Sequence, residues 1–349
     1  RMSFRNGMLF QASNFADVSS MWGIGFTIWN PATAPSKSVK LDIILNTKRL
    51  DEETFSIKPI GEKTIYSPEE SIPEWVCKSV EYKWTPSIRL SSAVIHKKDD
   101  LGKNVEGSFG WMLNMSNSVY KNGTDVSLFS SRYSHNGAAG LPVLPANFRR
   151  VVALFIARKS IERTWINWQD EYLIPHASEP SSPLNAEYEQ WVNDAIVYSL
   201  FNSKSNQSSL RKIDYKGKKW DILNHFFFMS SKEMKEWADS SGFQEMYADC
   251  KAFGEDRFVY KTLEGLTLSD DARDVLETAR VIVRASMGMR KAWHQDHPEL
   301  HLQAWDAGWA QLKPMLKVAY KDDYKEFVGR YKAFESRMRE GVYKFGFLK

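Results

Sequence analysis

The 349-residue chain has only two cysteines, Cys77 and Cys250. That number excludes a disulfide framework and a four-thiolate zinc site, and it suits a reducing compartment. No stretch approaches 18 consecutive apolar residues, so no membrane span is expected. The opening Arg-Met-Ser-Phe-Arg-Asn-Gly lacks an apolar signal core, which argues against secretion and for a cytoplasmic protein. There is no Pro-Pro pair, no Gly-x-Gly-x-x-Gly run for a dinucleotide and no Gly-x-Ser-x-Gly elbow. Charge of one sign is not in large excess either. Forty-seven Lys and Arg against 43 Asp and Glu leave a net +4. This permits an anionic partner without demanding one, so local clusters matter more than the total.

Aromatic residues, by contrast, are abundant. They make up 13% of the chain, with 13 Trp, and 43% of all residues are hydrophobic. That is ample for packed cores and excludes wholesale disorder. At roughly 100–200 residues per domain, the length calls for two or three units.

The first part is strand-like. Met8–Phe10 is a short apolar run, Ile24–Trp29 is rich in β-branched and aromatic residues and ends at Asn30-Pro31, and Val39–Leu45 is a further strand candidate. From about Thr54 to Tyr133, short apolar segments alternate with Pro, Gly, Ser and Asn. These are Phe55–Ile60, Thr64–Tyr66, Ser92–His96, Phe109–Met115 and Val126–Phe129, which predict a β-rich, loop-rich unit. Phe148 to Ile161 has helical periodicity. Ala177 to Leu184, with two prolines and three serines, marks a boundary. Beyond it the pattern predicts helices at Tyr188–Phe201, Ser231–Ser240, Ser269–Ala285, Trp305–Tyr320 and Tyr324–Tyr343. Ser269-Asp270-Asp271 has the form of an N-cap followed by an acidic first turn. The expected fold class is α+β, with units at 1–50, 51–176 and 185–349.

Several strings could carry chemistry. His297 and His301, four apart, could share one helix face as metal ligands, but no further ligand lies near. Glu233-Met234-Lys235 has the spacing of a nuclease Glu-x-Lys, yet in a helical context it fits a solvated face better. Gly61-Glu62-Lys63-Thr64 ends like a phosphate loop but lacks the upstream glycine, and Pro59 occupies the approach. Asn122-Gly123-Thr124 is a sequon without a secretory context. No metal site follows from these.

Two cationic regions stand out. Asn202 to Lys212 is a run of amide and hydroxyl side chains with Lys204, Arg211 and Lys212, followed by Lys216, Lys218 and Lys219. Arg149, Arg150, Arg158, Lys159 and Arg163 lie in and just after a predicted helix. These residue types hold phosphate oxygens and base edges. They also suit a solvated loop and a solvated helix face.

Gly7–Ser19 and Trp22–Trp29 resemble the last strands of the catalytic domain in bacterial N6-adenine DNA methyltransferases. The type meant is the large restriction-modification or phage-defence enzyme, type IIG-like, in which methylase and target recognition share one chain. Asn147–Arg150, Thr164–Tyr172, Tyr198–Phe201, Asn206–Leu210, Asn224–Met229 and Trp305–Trp309 resemble the downstream region of that group. The resemblance implies that residues 1–50 are terminal strands of a Rossmann-like methyltransferase sheet. A β-rich target-recognition region and a C-terminal helical region would follow. It implies a base-flipping enzyme that uses S-adenosylmethionine and acts on double-stranded DNA. The Gly-rich cofactor loop and the Asn/Asp-Pro-Pro-aromatic tetrapeptide of that group are absent. Asn30-Pro31-Ala32-Thr33 lacks the second proline and the aromatic. The chain is therefore expected to be a C-terminal portion that binds no cofactor and is inactive alone, its partner being the missing methyltransferase segment or subunit. The expected DNA contacts are Lys204, Asn206, Gln207, Ser208, Ser209, Arg211 and Lys212, mainly on phosphate, with Arg149 and Arg150 on a basic helix of the kind that clamps phosphates, and His135 and Asn136 on bases. Competing expectations are a non-catalytic interaction scaffold derived from that fold and a metal-dependent nuclease.

Overall fold

A computed structural model describes residues 2–15, 17–18, 22–31, 38–44, 59–88, 101–113, 116–121, 126–129, 134–135, 138–201, 212–215, 218–221, 226–233, 236, 256–296 and 309–349. The architecture is α+β, with small, mainly antiparallel sheets preceding and flanking a helical body.

Strand β1 (Met2–Gln11) pairs antiparallel with β2 (Gly23–Pro31), Met8 opposite Phe26, with a bulge between Phe4 and Asn6. On its other side β1 runs parallel to β3 (Ser38–Ile44), which pairs antiparallel with β4 (Pro59–Tyr66). Proline, which cannot donate to a ladder, ends β2 and begins β4. The strands expected from the first two apolar runs are thus present and pair antiparallel. The strand candidates Phe55–Ile60 and Thr64–Tyr66 share one strand, β4, from residue 59 onward. The inner face of this sheet rests on Trp165 through Leu9, with Phe4, Val39 and Ile65 around them. Gly23 makes this contact possible, because a Cβ there would lie 2.4 Å from the Trp165 carbonyl oxygen. The outer face leaves Met8, Phe26, Ile28 and Ile60 exposed.

Helix α1 (Ile72–Cys77) starts at a capping box. The Glu74 N–H donates to Ser71 Oγ, and the Ser71 N–H donates to the Glu74 carboxylate. β5 (Trp84–Ile88) pairs with β6 (Leu101–Val105). β7 (Gly110–Leu113) lies between β8 (Ser127–Phe129) and β11 (Leu141–Val143); β9 (Ser134–His135) and β10 (Ala138–Ala139) form a short pair. The polar Leu-Gly-Lys-Asn-Val of β6 has no strand pattern of its own, and its partner β5 supplies the ladder. The candidate at Ser92–His96 lies outside the described residues.

Helix α2 (Phe148–Ser160) is buried on almost every side, not on one face. It packs against α3 (Asn185–Phe201) and against the long C-terminal helix over Lys321–Lys344, on the far side of the Pro/Ser-rich stretch at 177–184. Between these lie α4 (Phe258–Glu264), α5 (Asp270–Ser286), α6 (Arg290–Asp296) and α7 (Trp309–Ala319), so the C-terminal helix is α8. One continuous core runs from Ile72 to Leu348. Gly341 lets α8 sit directly on Trp191, whose Nε1 donates to the Met338 carbonyl at 3.0 Å; a Cβ at Gly341 would meet that nitrogen at 2.2 Å. The last residues tuck back under the body, where the Leu173 N–H donates to the Phe347 carbonyl. Among the described residues no helix is long and apolar enough to cross a membrane.

Candidate functional site

Lys204, Asn206, Gln207, Ser208, Ser209, Arg211 and Asn136 lie outside the described residues. Lys212 opens β12 (Lys212–Tyr215), which pairs with β13 (Lys218–Asp221); Lys212 stands opposite Asp221 and Lys219 opposite Asp214. His135 is in β9, opposite Ala138. Glu233 has a local task. Its carboxylate accepts from the Ser230 N–H and hydroxyl and pairs with Arg284 at 2.8 Å. Burial opposes its ionisation, yet Ser230 and Arg284 outweigh this and hold its carboxyl below the usual range. Gly61–Thr64 lies inside β4, where Lys63 pairs with buried Asp170 at 2.5 Å. His297, His301 and Lys235 are outside the described residues. Among those described, no three His, Cys, Asp or Glu side chains gather as a metal site.

The cations at 149–163 do not form a solvated face. Arg158 is fully buried, donates to the Ser116 carbonyl and lies over the Tyr172 ring. Lys159 donates to the Val126 carbonyl at 3.0 Å, and Arg163 to the Tyr120 carbonyl at 3.0 Å. Each reaches backward in sequence to a carbonyl in a loop or a short 3-10 turn, where a donor is needed. Charge density along the chain is blind to such pairing.

Arg149 and Arg150 are brought together. Both stand in the first turn of α2, where the helix dipole disfavours a cation. Tertiary partners compensate. Arg149 Nη2 pairs with the Glu189 carboxylate at 2.5 Å, and its Nη1 donates to Asn193 Oδ1 at 2.8 Å. Arg150 Nη2 donates to the Lys78 carbonyl at 2.6 Å, and its Nε to the Val76 carbonyl at 3.3 Å. The Arg150 Nη1 edge makes no hydrogen bond among the described residues. The two guanidinium groups line a cleft of about 410 Å³ whose walls include Trp75, Lys78, Ser178 and Tyr188. Burial, and then the Glu189 charge, push the Tyr188 hydroxyl above its usual range, against the pull of Arg149 and Arg150, so it stays a neutral phenol.

The cleft therefore offers an aromatic floor and three cations against Glu179 and Glu189, with Glu189 already matched to Arg149. A guanidinium held on carbonyls is fixed before any ligand arrives, so a phosphate would order little of it. Sequence spacing did not indicate Trp75, Lys78 or Tyr188. They lie 38 to 75 residues from Arg150 (numbers 75, 78 and 188 against 150), and no motif links them.

No family model, curated protein or solved structure matches the chain.

Proposed function

We propose that this chain is the DNA-recognition portion of an S-adenosylmethionine-dependent adenine-N6 DNA methyltransferase, and that duplex DNA lays a phosphate into the cleft beside α2. The class is a nucleic-acid-binding protein. The particular reading is the target-recognition and helical part of a combined restriction-modification enzyme, acting in the cytoplasm. The observation that carries it is the pair Arg149 and Arg150, expected on phosphate from the sequence, standing in one cleft with Lys78. Guanidinium and ammonium groups bind phosphate by charge-assisted hydrogen bonds, and the anchored Arg150 keeps one edge for a ligand. Strands β1 and β2 take the place of closing strands of a methyltransferase sheet in this reading, and Rossmann-like is the finer description it gives them. No residue here is given to S-adenosylmethionine.

The outer face of β1 and β2, with Met8, Phe26 and Ile28 exposed, favours a second reading as a protein-interaction scaffold. The two separate in one titration. A 30-base-pair duplex followed by fluorescence anisotropy should bind with an affinity whose logarithm falls linearly with log salt. Arg150→Ala and Lys78→Ala should each weaken binding about tenfold and reduce the salt slope by about 1. Absence of duplex binding at low salt, or indifference to both substitutions, would favour the scaffold.

A further inference from the structure

Three rings from three separate segments meet at the surface beside the N-terminal sheet. The Trp22 and Trp168 centroids are 5.6 Å apart at 34°, and Tyr120 meets Trp168 at 4.5 Å, edge to face. Trp22 keeps 49% of its surface in water and Tyr120 40%. Exposing two large rings, each against Trp168, is not what burial alone would select.

The group is held by backbone rather than by apolar packing. The Ala12 N–H donates to the Trp22 carbonyl at 2.8 Å, and Gly23 brings the strand onto the Trp165 carbonyl. The turn carrying Trp168 is locked by Asn167, whose Oδ1 accepts from the Thr164 N–H at 2.7 Å and whose Nδ2 donates to the Glu162 carbonyl at 2.8 Å. It directs Trp165 inward and leaves Trp168 beside Trp22. Tyr120 is tied to the same turn through the Val119 N–H and the Asp170 carbonyl. Arg163 reaches the back of Tyr120 through its carbonyl, and its Nε and Nη2 make no hydrogen bonds among the described residues.

We infer that this platform stacks an unpaired nucleobase, with Trp22 as the stacking ring and Arg163 on the adjoining phosphate. This rests on the nucleic-acid reading above. A base offers the flat π-face that an exposed indole takes, and its backbone carries the charge that a guanidinium takes. A duplex has no free base face, so the ligand is a single strand or a base turned out of the stack.

The test measures three DNAs on the whole chain by quenching of tryptophan fluorescence: a single-stranded 12-mer, the same strand with abasic sites, and the matching duplex. The base-bearing strand should quench and bind more tightly than the abasic one. Trp22→Leu should weaken it by about 5- to 150-fold, the loss of one stacked base. Trp22→Phe should keep most of the affinity, and both variants should share one urea midpoint. Equal binding of base-bearing and abasic strands, or no effect of Trp22→Leu, would overturn the inference. Duplex binding that stays intact in that case leaves the Arg150 cleft standing; loss of binding to all three DNAs sinks both.

Discussion

Lys63 and Asp170 meet at 2.5 Å with about a tenth of each side chain exposed. They tie strand β4 to the turn after α2. Burial raises the Asp170 carboxyl above its usual range, and the Lys63 ammonium offsets that only in part. A raised acid binds its proton more tightly in the folded chain than in the unfolded one. Its contribution to stability is therefore greatest at low pH and is lost as pH rises through the carboxylate range. Lys63→Ala removes the offset and leaves a buried carboxylate unpaired. The expected cost at pH 7 is about 3–5 kcal/mol, read from urea midpoints, and it should shrink clearly at pH 4, where Asp170 takes up a proton. An equal cost at both values would contradict this account. The sequence showed Lys63 only as part of a rejected phosphate-loop string, because its partner lies 107 residues away.

At the scale of elements, helix α5 was the most legible. Its apolar spacing and the Ser269-Asp270-Asp271 start are local features, and the helix runs over Asp270–Ser286 as they imply. The Ser269 hydroxyl accepts from the Ala272 N–H at 3.3 Å, an N-cap. The structure adds a layer to it. Arg337 of α8 donates to that hydroxyl at 2.7 Å and to the fully buried Asp194 of α3 at 3.1 Å. One residue so joins three helices. Ser269→Ala should cost about 1–2 kcal/mol in urea denaturation, while Ser269→Thr should restore most of it. Helix α2 was legible as a helix but not in its burial. Val151 to Ala157 is an unbroken apolar run, which leaves no polar face to show how the helix is oriented.

Across the whole molecule, stability is unevenly spread. The body from Ile72 to Leu348 shares one aromatic-rich core, whereas the N-terminal sheet closes on a small cluster around Leu9 and Trp165. Hydrogen exchange should therefore find the amides of β1 and β2 opening at lower free energy than those of α2 and α3. Equal protection would mean that the sheet gains more from the body than these contacts supply. The α+β class, the helices α3, α5, α7 and α8 and the first two strands were legible, because period, caps and turn residues act over a few positions; α4 and α6 were not expected, and most of Ser231–Ser240 lies outside the described residues. The cations at 149–163 were not, because local charge says nothing about the fold bringing Val76, Ser116, Val126 or Glu189 to meet them. The amino-acid sequence by itself determined what the segments are. Only the tertiary structure decided which charges are buried or paired, which stand at a cleft and which rings stay in water, since desolvation and pairing depend on neighbours distant in the chain.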